Sequence, residues 1–305
     1  MSQSGSLEHD SILPRYLSCL RFPEIIVLQG SPLLGAAFAL GQAVPENAGP
    51  LAVLVAANAC LVAHIFALND WSNLEADLRD PHKAADVFTA KGVSPRQMGA
   101  LVAGLQVVSL ALFASLGSPA LVIAVTIAVL SAVYSLPAFA WKGRPLLNSF
   151  MHVCGGALHF LLGYSIGSAV DSRGIVIAIF FAVTFTAGHL TQELRDYDGD
   201  VRNGVRTNAV VFGRRRTFVA SLALFTLSQA LLLALAVQGT IPRAAGLLVV
   251  LYPVHLRWSL QALASGLTYA SVCRLQARYR VLYAVIGVVL IAALWLASPV
   301  DVLKT

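Results

Sequence analysis

Two nine-residue stretches concentrate the side chains best able to do chemistry. The first reads Asn69-Asp70-Trp71-Ser72-Asn73-Leu74-Glu75-Ala76-Asp77, the second Gln192-Glu193-Leu194-Arg195-Asp196-Tyr197-Asp198-Gly199-Asp200. By type, both run amide, acid, two fillers, Asn or Asp, filler, acid, filler, Asp. Positions 69, 73 and 77, like 192, 196 and 200, are four apart, so on a helix they line one face at about 6 Å per step. Oxygen ligands in such a row suit a hard cation such as magnesium, which keeps several waters and binds substrate phosphates. Asn69, Asn73, Asp77, Asp196 and Asp200 are the best placed ligands. Two rows facing each other would hold a diphosphate between them through metal ions.

The elements that must position these rows are membrane spans. The chain has 305 residues, of which 57% are hydrophobic and 12% charged, and its mean hydropathy is +0.75. Soluble domains carry about 25% charged residues. Apolar segments of bilayer-crossing length fall at 24–42, 49–68, 98–117, 119–137, 148–170, 174–191, 217–238, 241–257 and 280–298. The expectation is an all-α polytopic protein whose nine helices enclose a central cavity. Residues 1–23 form a cytoplasmic segment, 24–298 a single domain, and 299–305 a short tail. Pro32 is expected to kink the first span, and Gly117-Ser118 to make a tight hairpin between the third and fourth. The first twenty residues show no signal peptide, and the four cysteines show neither metal spacing nor a disulfide framework.

With nine spans, eighteen of the 21 Lys and Arg residues fall on one side. That bias places them, and both acidic rows, at the cytoplasmic face. The net charge of +6 is therefore a matter of membrane topology and does not indicate nucleic acid. The protein is expected in the inner membrane if bacterial. Acids close to a bilayer are costly unless paired or metal-bound, which favours a functional reading of both rows. A single row would be read as a solvated loop.

These motifs resemble those of the UbiA superfamily of intramembrane prenyltransferases. The family's first motif is written NDxxDxxxD; the second is close to DxxxD followed by a glycine and a basic-Thr pair. Here they stand as Asn69-Asp70…Asn73…Asp77 and Asp196…Asp200…Gly204-Val205-Arg206-Thr207, closed by Val210-Val211-Phe212-Gly213. Tyr134-Ser135…Pro137…Lys142 is similar to the family's Tyr-rich end of the fourth helix with its downstream lysine. Two departures stand out. Asn73 replaces an aspartate, a neutral ligand that weakens the cation's hold. The family's Arg-Pro-Leu-Pro-Ser-Gly element reads Asp86-Val87-Phe88-Thr89-Ala90-Lys91-Gly92, and only its glycine survives.

The resemblance implies magnesium-dependent transfer of a prenyl group from a prenyl diphosphate to an aromatic or other electron-rich acceptor, either a small molecule or a lipid. Asp77, Asp196, Asp200, Lys142 and Tyr134 would carry the chemistry, with the Tyr134 ring facing the carbocation. Lys142, Arg144, Arg202 and Arg206 would face the diphosphate, because cations stabilise a leaving group that gains charge. Lys83 and Lys91 are also within reach, whereas Arg214, Arg215 and Arg216 read as anchors near lipid headgroups. His152 and His159, seven apart, read as a helix–helix contact. His64 and His189 lie nearer the rows. Tyr197 reads equally as a carbocation partner or an interfacial aromatic, and 258–277 as interfacial scaffold. Three other readings stay open: a terpene cyclase, a phosphoribosyltransferase acting on polyprenyl phosphate, to which Glu75-Ala76-Asp77…Arg79-Asp80-Pro81-His82-Lys83 is similar, and a transporter. Two rows on one membrane face count against transport.

Overall fold

The computed structural model describes residues 12–41 and 45–296, and no strand occurs among them. The expected tail at 299–305 lies outside the described residues. After a short helix α1 (Ile12–Cys19) the first span breaks into α2 (Phe22–Val27) and α3 (Gly30–Leu40). Pro32 explains the break. It lacks an N–H, and its ring clashes with the carbonyl four residues back, at Leu28. That freed carbonyl accepts a hydrogen bond from Asn58 Nδ2 at 3.3 Å. Asn58 lies on α4 (Ala48–Ser72) and is fully buried.

Asn73, at φ −108° and ψ 14°, ends α4, and a short α5 (Leu74–Arg79) follows it directly. Backbone bonds from Asn73 N to Asn69 O and from Asp77 N to Asn73 O preserve one-turn spacing across the bend. Helix α6 (Pro95–Leu116) opens on a capping box between Ser94 and Gln97. Gly117, at φ 118°, turns the chain directly into α7 (Ser118–Ser135), which is the expected hairpin.

Helix α8 (Leu147–Tyr164) is the expected fifth span, yet it is not among the eight helical segments of the described residues that are long and apolar enough to cross a membrane. Asn148, His152 and His159 lower its hydropathy. It tolerates them because it packs against α3, α7 and α9 (Ser172–Arg202) and so presents much of its surface to protein. Gly156 faces the α9 backbone at Ala182 and Gly163 faces Pro32 of α3, close contacts that only small residues permit.

The described residues close with α10 (Asn208–Phe212), α11 (Arg214–Val237), a 3-10 stretch (Arg243–Leu251) leading into α12 (Tyr252–Ala264), and α13 (Tyr269–Leu296). Helix α13 begins well before the expected 280. Its first turns carry Tyr269, Cys273 and Gln276 onto a cavity wall, so part of 258–277 is not mere scaffold.

Candidate active site between the two acidic rows

The acidic rows converge. Helix α9 continues unbroken through 202, so the second row is a stripe on its last turns. The first row arrives on α4, the bend at Asn73, and α5. Between them lies a cavity of about 420 Å³ whose wall includes Asp70, Asp77, Asp80, Lys83, Arg195 and Asp196.

Lys83 organises this space. Its Nζ stands 3.8 Å from Asp77, 3.7 Å from Asp80 and 3.7 Å from Asp196. One ammonium thus ties the first row to the second. Burial alone would lower its pKa, but Asp196, Asp77 and Asp80 outweigh that and hold it above the ordinary lysine value. For Asp77 burial dominates and pushes the carboxyl above the usual range, with Lys83 and Lys142 pulling the other way. Arg195 grips its neighbour Asp196 through two hydrogen bonds, at 2.9 and 3.2 Å. Arg21 from the chain's start pairs with Asp70.

Backbone contacts fix the same junction. Asn203 Nδ2 donates to Ala76 O at 3.0 Å, joining the end of α9 to α5. Asp80, only 3% exposed, lies against Gly199, where an added Cβ would collide with its carboxylate. A glycine inside a helix costs about 1 kcal/mol relative to alanine. Its place between Asp198 and Asp200 was the signal for this close approach, and with it for Asp80, which the motif alone does not select.

The remaining expected residues divide. Asp200 is buried, and Lys142 acts electrostatically on Asp77, Asp196 and Asp200 alike. Asn73 donates from Nδ2 to Asn69 O at 2.7 Å and to Asn69 Oδ1 at 3.0 Å, so both amides serve the bend in α4. Arg144, Arg202 and Arg206 are exposed and do not line the cavity, whereas Lys91 and Arg280 do. Tyr197 lies under the Arg214 guanidinium, 4.2 Å from ring centroid to Cζ, and Arg214 also pairs with Asp198. That arrangement gives Arg214 and Tyr197 a local packing role. His152 makes the expected helix–helix contact: its ring stacks on His189 of α9 with centroids 3.4 Å apart, and Tyr134 meets it edge-on at 5.3 Å.

Carboxylate oxygens are the right donors for magnesium. No three His, Cys, Asp or Glu side chains converge on one metal position among the described residues. Magnesium does not need three, since it is commonly held by one or two carboxylates together with substrate phosphates and water. Asp77, Asp80, Asp196 and Asp200 therefore fit an ion that enters with a diphosphate.

The profile of the UbiA prenyltransferase family matches residues 31–266. A lycopene elongase/hydratase from Haloferax volcanii is 27% identical over 285 residues, which covers 92% of this chain and 89% of that protein. A digeranylgeranylglyceryl phosphate synthase from Natronomonas pharaonis is 27% identical over 202 residues, covering 65% and 69%. Among solved structures, a UbiA homologue from Archaeoglobus fulgidus bound to GPP and Mg2+ superposes with a TM-score of 0.71 at 18% identity. That match covers 94% of this chain and 99% of the other. The chain belongs to the UbiA prenyltransferase family and is an intramembrane prenyltransferase.

Proposed function

We propose that the protein transfers a prenyl group from a magnesium-bound prenyl diphosphate to an electron-rich acceptor dissolved in the membrane, with its active site toward the cytoplasm. The observation that carries this reading is the junction at Lys83, where carboxylates of both acidic rows come within 4 Å of one cation. Such a place binds a polyanion once a divalent ion joins it. Magnesium, when bound, supplies positive charge to the departing diphosphate. Asp77, Asp196 and Asp200 hold the ion's side of the site. Lys83 and Lys142 face the phosphate oxygens and lower the cost of the charge that develops there. Asn69 and Asn73 shape the bend that carries Asp77 into place. Arg144, Arg202 and Arg206 serve the entry of the anion from water. Tyr134 presents its ring to the allylic cation.

The lycopene-related protein aligns along nearly the whole chain, which favours an apolar lipid acceptor alongside the aromatic ones. The test is purified protein with Mg2+, dimethylallyl or geranyl diphosphate, and three acceptors: a hydroxybenzoate, lycopene and geranylgeranylglyceryl phosphate. Pyrophosphate release and products are followed by mass spectrometry. A prenylated acceptor is expected, lost in Asp196→Ala and in Asp200→Ala. Cyclic hydrocarbon formed without acceptor, or full activity in either variant, refutes the reading.

A further inference from the structure

Below the acidic row, α9 carries a second polar set on the same face. His189, Glu193, Asp196 and Asp200 follow at intervals of four, three and four, which keeps them within one stripe of a helix. His189 is seven residues before Asp196, about 10 Å deeper along the helix axis at 1.5 Å per residue. A prenyl C1 attached to a diphosphate held by the row would lie between the two levels.

The tautomers of this set follow from its partners. His152 Nδ1 is 2.9 Å from the carbonyl oxygen of Asn148. A carbonyl only accepts, so Nδ1 carries the proton and Nε2 of the neutral ring holds a free lone pair. Nε2 has no hydrogen-bond partner among the described residues. His152 is thus a base with an open acceptor atom, between Tyr134 of α7 and His189 of α9.

Behind it stands a fixed acceptor. Glu193, 3% exposed, receives Asn148 Nδ2 at 2.8 Å, Asn208 Nδ2 at 2.8 Å and the Ala209 N–H at 2.9 Å. These unambiguous donors occupy both of its oxygens, so His189, 3.0 Å away through Nε2, donates to it as well. Among the described residues the carboxylate has no Lys or Arg within ion-pair distance, and His189 is its one ionisable partner. Through His189, that carboxylate fixes the ring on which His152 stacks.

We propose that His152 Nε2 takes the proton that the acceptor loses, with His189 and Glu193 as positioning residues behind it. The step rests on the transfer reading above. As the C1–O bond breaks, pyrophosphate leaves with the electron pair, and the acceptor's π electrons form the new bond to C1. The resulting acceptor cation then gives up its proton to Nε2: a C–H proton, whose electron pair restores the double bond, or the hydroxyl proton where a glyceryl oxygen's lone pair has made the bond instead. The imidazolium passes the proton on to the departing pyrophosphate or to water. The rival base is pyrophosphate acting directly.

The experiment uses full-length protein in detergent with Mg2+, geranyl diphosphate and the acceptor panel above. His152→Ala is compared with wild type, with and without 4-methylimidazole. Geranyl diphosphate affinity is expected to stay within about twofold while product formation falls by about 10²-fold or more, the usual contribution of a positioned base. Added 4-methylimidazole should restore part of the rate. If the alanine leaves the helices underpacked, His152→Gln fills the space without supplying a base and should show the same loss. Product formed at the wild-type rate by either variant assigns the proton to pyrophosphate and overturns the proposal. Loss of diphosphate binding together with turnover assigns His152 to packing and overturns it equally. A wild type that binds geranyl diphosphate but prenylates nothing refutes the transfer reading itself, with the role of His152 falling as its consequence.

Discussion

Replacing Lys83 by methionine keeps much of its length and apolar stem while removing the charge that joins the two rows. Three carboxylate oxygens then face one another across the position Nζ held, at 3.7 to 3.8 Å from it. At an effective dielectric constant of about 20, each such pair is worth roughly 4 kcal/mol before desolvation is counted. The Lys83 side chain is 30% exposed and Asp80 is 5% exposed, which places the cluster between two limits. Exposed pairs contribute about 0–1 kcal/mol, and breaking a buried pair costs about 3–5 kcal/mol. A loss of about 1–3 kcal/mol in metal-free protein is the expected result. Magnesium should then stabilise the variant more than it does the wild type, because the ion no longer competes with a resident ammonium. The assay is thermal unfolding in detergent, first with EDTA and then across a magnesium titration without substrate. The variant should melt several degrees lower in EDTA and recover most of the difference at saturating magnesium, with its midpoint at a lower concentration. Equal melting in EDTA together with superimposed titrations would refute the claim that Lys83 holds the rows together.

Three further outcomes follow from the same geometry. Asn73→Asp should cost about 1–3 kcal/mol, because it replaces a donor to two Asn69 oxygens by an acceptor facing them. Thermal unfolding measures the loss, and magnesium should recover part of it if the new carboxylate enters the metal shell. Gly199→Ala should destabilise despite alanine's better helix propensity, since its Cβ meets the Asp80 carboxylate; overpacking of this kind costs about 1–3 kcal/mol, and turnover should fall with it. The raised pKa of Asp77 means that its proton is held more tightly in the folded protein than in the unfolded chain. Its contribution to folding therefore favours acid and is lost as pH rises through the folded value. Magnesium, which needs the carboxylate, should accordingly lose affinity on acidification at a higher pH than an ordinary aspartate of about 3.9 would give. Magnesium midpoints measured from pH 7 downward test this, and Lys83→Met should move the loss to still higher pH.

What was legible in the chain was whatever repeats or breaks a local rule. The doubled acidic pattern was legible because intervals of four mean one helical face, and the two rows do converge at Lys83. Pro32 marked the kink because it must free the Leu28 carbonyl, though nothing local names Asn58 as the group that satisfies it. Helix α8 was legible as a helix but not as an interior one; its histidines lowered its apparent hydropathy because protein, not lipid, surrounds much of it. The contacts that close the site depend on which helices are neighbours, and no spacing records that. Lys83 and Asp80 stand on the irregular stretch after α5, where helical periodicity gives no direction. The pairing of His152 with His189 depends on the register between α8 and α9. That register is set one turn away, where Gly156 lets α8 approach the backbone of Ala182 and the base of Phe185. A larger residue at 156 would push the helices apart and separate two rings now 3.4 Å from each other. That the close approach at Gly156 also assembles a stacked imidazole pair, seven residues before Asp196, belongs to the fold alone.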